Sequence, residues 1–384
     1  MEKYLVILIR NAQPYDFGGG ERFPVFLADI LRNHGVMPLV VSRNPKLLEY
    51  AKSLGLTVCR GPWWGNQNWS GARALLFPLY VVWQLVLFVW YFALFVRIRP
   101  SAVHIQSKDD FIAATYAGRL LGIQVIWTDH ADLKHIWKNL RVWHKNPVGK
   151  WVYSAAHFAN AITVVSKSEY AEVTAHLADS ARVRNKITVV YNGSQDKYHD
   201  YPIDQPSSEF TYCIVSRLVT DKGIGEAITA FRAVHKHHPQ TRLLLIGNGP
   251  EQDKFATQAK GEASIVFAGY QADPLAYIAQ SHVFMQPTYH EGFSVSLVEA
   301  SMMQKPIIAT AVGGNVEIIQ NGKTGILVPA KDSAALEQAM EQLFTDGKLR
   351  DTLAHHARQQ YLERFVFNTI VKERFMKLYE KTSH

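Results

Sequence analysis

The chain has 384 residues, 48% hydrophobic and 19% charged, a composition that excludes a disordered chain and a length that exceeds one ordinary hydrophobic core. Its two cysteines, Cys59 and Cys213, make neither a metal-ligand pattern nor a disulfide framework and fit a reducing compartment. The net charge of +8 is uneven: residues 1–195 hold 22 Lys+Arg against 12 Asp+Glu, which implies an anionic partner, while the lack of zinc-finger spacing or an RNA-recognition signature argues against nucleic acid.

Taken in chain order, the opening run at 4–9 reads as a buried β-strand, too short and without the cleavage site for a signal peptide. Short aliphatic runs then recur at 37–41, 102–106, 123–127, 161–165 and 187–191. They resume at 210–215, 241–246, 264–268, 282–286 and 306–310. Segments of helical period separate them, as at 225–235 and 333–344. Such alternation marks parallel sheets covered on both faces. It occurs twice, and the polar, proline-bearing stretch 193–209 reads as the linker. Two doubly wound Rossmann-like domains facing across a cleft are therefore expected, at 1–195 and 196–364, followed by a C-terminal helix at 365–384. Ligands of such sheets bind beyond the carboxyl ends of the strands.

Chemistry-bearing residues follow the strands. After the first strand comes a loop with Gly18, Gly19 and Gly20, which permits close backbone approach to a phosphate or sugar but lacks the G-x-G-x-x-G fingerprint. His130 ends Trp127-Thr128-Asp129-His130, and His104 ends an earlier strand. A lone histidine is more often structural, and the chain has 16. Ser216, Arg217 and Lys222 follow the strand at 210–215, where the two cations can neutralise a diphosphate or serve as ordinary surface charges. The densest segment is His290-Glu291-Gly292-Phe293-Ser294, with Glu299 five residues on. A serine-capped helix starting near 294–296 offers free N–H groups to an anion, and Glu299, about one turn in, can accept ribose hydroxyls. Two glutamates at this spacing also occur as plain solvated charges. No D-x-D sequence is present, so no metal and no cofactor is expected in the diphosphate site.

In combination these pieces resemble family 4 of the retaining GT-B glycosyltransferases. The resemblance rests on the glycine-rich loop, Thr128-Asp129-His130, Ser216-Arg217-Leu218 with Lys222-Gly223, Glu291-Gly292-Phe293 with Glu299, Val190-Tyr191-Asn192-Gly193, Gly247-Asn248-Gly249-Pro250 and Thr324-Gly325. It implies a nucleotide-sugar donor, UDP-linked by default, with Arg217 and Lys222 on the diphosphate. Glu291 would contact the transferred sugar with the amides of Gly292 to Ser294, and Glu299 the ribose. His130 would face the donor sugar, Gly18 and Gly19 would lie near the phosphates, and Tyr270 near the base. It implies a terminal helix crossing back to the first domain and metal-independent transfer with retention. Two departures stand out. Position 294 is Ser where the family often has Gly, and Asp129 fills a position that is often neutral.

Residues 74–96 carry no charge and would reach about 35 Å as a helix. If the strands on both sides belong to one sheet, a span is ruled against. A helix buried all round or a membrane-contact helix remain. Trp63, Trp64, Trp69 and the basic aromatic stretch 134–150, with Trp137, Lys138, Arg141, Trp143 and Lys145, suit the second. The expectation is a cytoplasmic enzyme held peripherally at the cytoplasmic face of an anionic membrane, with a glycolipid or lipid-linked saccharide acceptor in surface polysaccharide or lipopolysaccharide synthesis. An epimerase-like nucleotide-sugar enzyme and a non-catalytic sugar- or phosphate-binding protein are the alternatives.

Overall fold

The computed structural model describes residues 5–11, 19–62, 77–130, 133–137, 147–177, 181–202 and 209–380. Gly18, Trp63, Trp64, Trp69, Lys138, Arg141, Trp143 and Lys145 lie outside the described residues.

Two parallel sheets form. The first contains β1 (Leu5–Ile9), β2 (Met37–Ser42), β3 (Thr57–Arg60), β4 (Ala102–Ile105), β5 (Gln124–Asp129), β6 (Ala161–Val164) and β7 (Ile187–Val189), in spatial order 3-2-1-4-5-6-7. The second contains β8 (Phe210–Val215), β9 (Thr241–Ile246), β10 (Ile265–Gly269), β11 (Val283–Gln286), β12 (Ile307–Thr310) and β13 (Ile326–Val328), in order 10-9-8-11-12-13. Central strands such as β1, Leu-Val-Ile-Leu-Ile, are buried along almost their whole length, as sheets with helices on both faces require. The order reverses between β1 and β4 and between β8 and β11. These are the switch points where open α/β sheets take their ligands.

Two edge strands, β3 and β13, were not anticipated. Thr57–Arg60 is only partly buried and mixes polar with apolar residues, and the aliphatic run Ile326–Val328 is only three residues long.

The chain divides into Met1–Val190 with Asn368–His384, and Tyr191–Phe367. Each unit has its own core. Trp127, Trp137 and Tyr91 are fully buried in the first, and Phe111 stacks on Trp127 with ring centroids 4.3 Å apart. Burying a large apolar side chain is worth about 1.5–3 kcal/mol. Trp137 therefore belongs to the core and not to an interfacial patch.

The terminal helix starts later than residue 365. Helix Gly347–Arg364 ends because Val366 pairs with Ser194: Ser194 N donates to Phe365 O at 3.1 Å and Phe367 N to Ser194 O at 3.0 Å. Helical structure resumes at Phe367 and runs to Glu380, through a π-helical turn at Val371–Phe375. Its last turn is tied to the first sheet, since Tyr379 Oη lies 2.7 Å from His104 Nδ1. His104 Nε2 meets Thr128 Oγ1 at 2.6 Å, so this histidine is structural.

Helix Phe77–Ile98 is not buried all round. Tyr80, Gln84, Leu87, Tyr91 and Phe95 face inward, and Leu79, Val82, Leu85, Val86, Val89 and Val96 are exposed. Only 28% of its apolar window is buried. The inner face is tied down by polar bonds: Tyr91 Oη donates to Asp110 Oδ1 at 2.7 Å and Gln84 Nε2 to Asp109 O at 3.0 Å.

Candidate active site

The donor residues expected in the second unit come from loops after β8 and β11, either side of its switch point. Backbone contact locks those loops together. Gly223 adopts φ 68°, and a Cβ there would lie 1.9 Å from Pro287 O, so only glycine lets the Lys222 turn rest on the end of β11. Tyr289 N donates to Asp221 O at 2.8 Å, and Thr288 Oγ1 donates to the same carbonyl at 3.0 Å. The loop after β12 closes from the other side. Gly314 N donates to Glu291 O at 3.0 Å, and a Cβ on Gly313 would meet that oxygen at 1.9 Å.

The result is a fixed pair. Lys222 Nζ lies 2.7 Å from Glu291 Oε2, both side chains about one-fifth exposed. Gln286 Nε2 donates to the same oxygen at 3.3 Å, leaving Glu291 Oε1 outside these contacts. The Gln286 Oε1 atom is buried without a partner. Arg217 is exposed at the end of β8, and Ser216 N donates to Ile246 O at 3.0 Å. Helix Val295–Met302 starts where serine chemistry placed it: Ser294 Oγ accepts from Leu297 N at 3.2 Å. The positive end of that helix dipole lies just past Glu291. Glu299 sits five residues into the helix and is partly exposed.

Phe293 is buried and stacks on Tyr191, centroids 5.4 Å apart, and packs edge-on against Phe365. Its side chain anchors the Glu291 loop, and its backbone is the part available to a donor. Tyr270 is 53% exposed beyond β10. A cavity of about 290 Å³ in this unit, lined by Thr220, Glu226, Lys254, Phe255, Gln258 and Tyr289, contains none of the expected donor residues.

In the first unit, Gly19 opens helix Gly19–Asn33 beyond β1. His130 follows β5 with its ring edge-on to Phe23, centroids 5.1 Å apart, and Nε2 buried without a partner. Burial, then Arg10 and His104, hold His130 well below the usual histidine range, so it is neutral near pH 7. The Asp129 carboxylate accepts from Leu133 N with both oxygens.

Sequence reasoning missed a buried network at the ends of β1, β2 and β4. Asn11 Nδ2 donates to Asp110 Oδ1 at 3.0 Å and to Tyr91 Oη at 3.1 Å, and Arg43 Nη2 lies 3.2 Å from Asp109 Oδ2. Burial and neighbouring Asp110 push Asp109 up to about 6 against the pull of Arg43. Gln286 was missed as well. A polar residue ending an otherwise apolar strand was the only signal for it.

Two Rossmann-like units with a cation–carboxylate pair and a capped helix N-terminus at a switch point define a GT-B glycosyltransferase architecture. Two family models match consecutive stretches of the chain: glycosyltransferase family 4 over residues 17–195 and glycosyl transferases group 1 over residues 195–360. The chain belongs to the family 4, or group 1, glycosyltransferases. It is similar to the capsular polysaccharide biosynthesis glycosyltransferase CapM of Staphylococcus aureus, 29% identical over 56% of this chain and 63% of CapM. It is also similar to the N,N'-diacetylbacillosaminyl-diphospho-undecaprenol alpha-1,3-N-acetylgalactosaminyltransferase of Campylobacter jejuni, 27% identical over 44% of each chain. These matches span less than two thirds of either relative. Among solved structures, Anabaena HepE in complex with UDP and glucose shares the fold, with a TM-score of 0.76 and 20% identity over 98% of this chain and 99% of HepE.

Proposed function

We propose that this protein is a retaining, metal-independent glycosyltransferase that moves a sugar from a UDP-sugar to a lipid-linked or glycolipid acceptor in surface polysaccharide or lipopolysaccharide synthesis. The observation that carries the reading is the Lys222–Glu291 pair at the second switch point, with Gln286 on the same carboxylate oxygen and a capped helix N-terminus beside it. Arg217 and Lys222 neutralise the diphosphate in place of a metal, and the helix dipole adds positive potential. Glu291 accepts from hydroxyls of the transferred sugar, and Glu299 from the ribose. His130 is the neutral histidine for the sugar. The leaving diphosphate takes the acceptor proton on the same face, and the protein positions and stabilises charge. UDP as the nucleotide is supported by the HepE complex, and a lipid-linked acceptor by the name of the Campylobacter relative.

The first unit docks on the cytoplasmic face of an anionic membrane through the exposed side of helix Phe77–Ile98. Leu79, Val82, Val86, Val89 and Val96 recur at steps of three, four, three and seven, as one face of a helix requires, and exposed Arg97 and Arg99 follow at the end. Incubation with UDP-sugars and a lipid extract, with and without chelator, tests the reaction. Chelator-resistant labelling of lipid is expected, and labelling of no acceptor with any nucleotide sugar would overturn the reading. For docking, Val86→Glu with Val89→Glu is expected to lower flotation with vesicles of mixed neutral and anionic lipid about tenfold, leaving nucleotide affinity unchanged. Flotation equal to wild type would remove the helix from the contact.

A further inference from the structure

The ladder between β1 and β4 continues one residue past Ile105, because Gln106 N donates to Ile9 O at 2.9 Å. Gln106 therefore stands where the two strands part, at the first switch point. Its neighbours there are paired. Asn11 N donates to Ser107 Oγ at 3.1 Å, Ser107 Oγ donates to Asp110 Oδ2, and Arg10 Nη1 donates to Gln106 O. The Gln106 side chain is not. It is 1% exposed, and neither Nε2 nor Oε1 has a hydrogen-bond partner among the described residues. A buried amide that makes no bond is costly to keep in a folded chain.

A second polar atom without a partner lies on the same side of the sheet. Side chains alternate along a strand, so Gln106 shares the face of His104, whose Nε2 meets Thr128 Oγ1 of β5. The register that sets Ile105 beside Trp127 sets Gln106 beside Thr128, and His130 follows two residues later. Ring contacts fix the side of His130. Phe375 packs on His104 with centroids 5.6 Å apart and on Phe23 at 5.9 Å, and Phe23 packs on His130 at 5.1 Å. The buried His130 Nε2 has no partner among the described residues.

Gln106 offers N–H donors and a carbonyl acceptor, and a neutral imidazole offers one donor or one acceptor at Nε2. Neighbouring hydroxyls of a sugar ring, each both donor and acceptor, match that set. A phosphate only accepts and would leave Gln106 Oε1 unpaired. We propose that Gln106 is a second binding residue for the transferred sugar, its amide pairing with sugar hydroxyls beside His130. The choice of the transferred sugar rests on the proposed reading of His130, whereas the unpaired amide does not.

Gln106→Leu and Gln106→Met remove the amide at similar volume and test this together. The first readout is the melting temperature of the ligand-free protein and needs no activity. Deleting an unsatisfied buried amide should raise it by about 2–4 °C. An equal or lower melting temperature in both variants would show that the amide is already satisfied, and would overturn the proposal. The second readout is calorimetry with UDP and with UDP-glucose, UDP-galactose and UDP-N-acetylglucosamine. Both variants should bind UDP as wild type does, and should bind the UDP-sugar that wild type prefers about tenfold more weakly. Undiminished affinity for that UDP-sugar in both variants, or a loss confined to the KM for the acceptor, would remove Gln106 from the transferred sugar while leaving the proposed reaction intact. If wild type binds none of the three UDP-sugars, the donor reading itself fails and the sugar role of Gln106 falls with it.

Discussion

The two switch points use opposite electrostatics. In the second unit, charges are present and within reach of solvent: Arg217 is exposed, and Lys222 and Glu291 pair at the surface of locked loops. In the first unit, burial keeps the strand-end histidines His104 and His130 neutral and raises Asp109 toward neutrality. A diphosphate needs fixed positive charge, which the second arrangement supplies. On the proposed function the first would face the transferred sugar, where a full charge would be costly. The contrast teaches that one fold, used twice, divides the work by how far it desolvates its strand ends.

The largest effect expected from breaking the contrast is on turnover. Arg217→Ala and Lys222→Ala should each lower kcat by about a hundredfold to a thousandfold, with no recovery on adding magnesium, in a transfer assay. Near-normal rates in both would remove the charge-based half of the account. Next, Gly223→Ala forces a Cβ against Pro287 O in a left-handed turn. A loss of about 2 kcal/mol or more in denaturant unfolding is expected. An unperturbed midpoint would show that the loops are not locked. Glu299→Ala should weaken nucleotide binding by about tenfold in calorimetry while the fold is retained. Unchanged affinity would move the ribose elsewhere. The smallest effect concerns His104, which burial lowers to about 3. Its folded pKa is depressed, so the stability it contributes is present above its ordinary 6.5 and is lost as pH falls toward 3. His104→Gln should flatten the acid side of a melting-temperature profile, and an unaltered profile would show that His104 charges freely in the folded protein.

Much of the second unit was legible in the sequence, because its parts are local. Aliphatic runs marked the central strands, and Ser294 capping and Glu299 followed from spacing along one segment. Long-range contacts were not legible. Nothing local shows that Val366 would pair with Ser194 and interrupt the last helices, that Phe293 would turn inward onto Tyr191, or that Gln286 would reach Glu291. In the first unit the glycine loop and the basic aromatic stretch were readable as composition, but Trp137 is core and Asp129 serves Leu133. Helix Phe77–Ile98 is apolar on both faces, so hydropathy alone gave no orientation. The inward bonds of Tyr91 and Gln84 decide which face is exposed.

The central claim is that the second unit alone holds the nucleotide while His130 serves the sugar. Titration of UDP into wild type, the Arg217→Ala/Lys222→Ala double variant and His130→Ala tests it most directly. The account predicts an affinity loss of about a hundredfold in the double variant and none in His130→Ala, which loses turnover instead. Equal UDP affinity in all three proteins would contradict it.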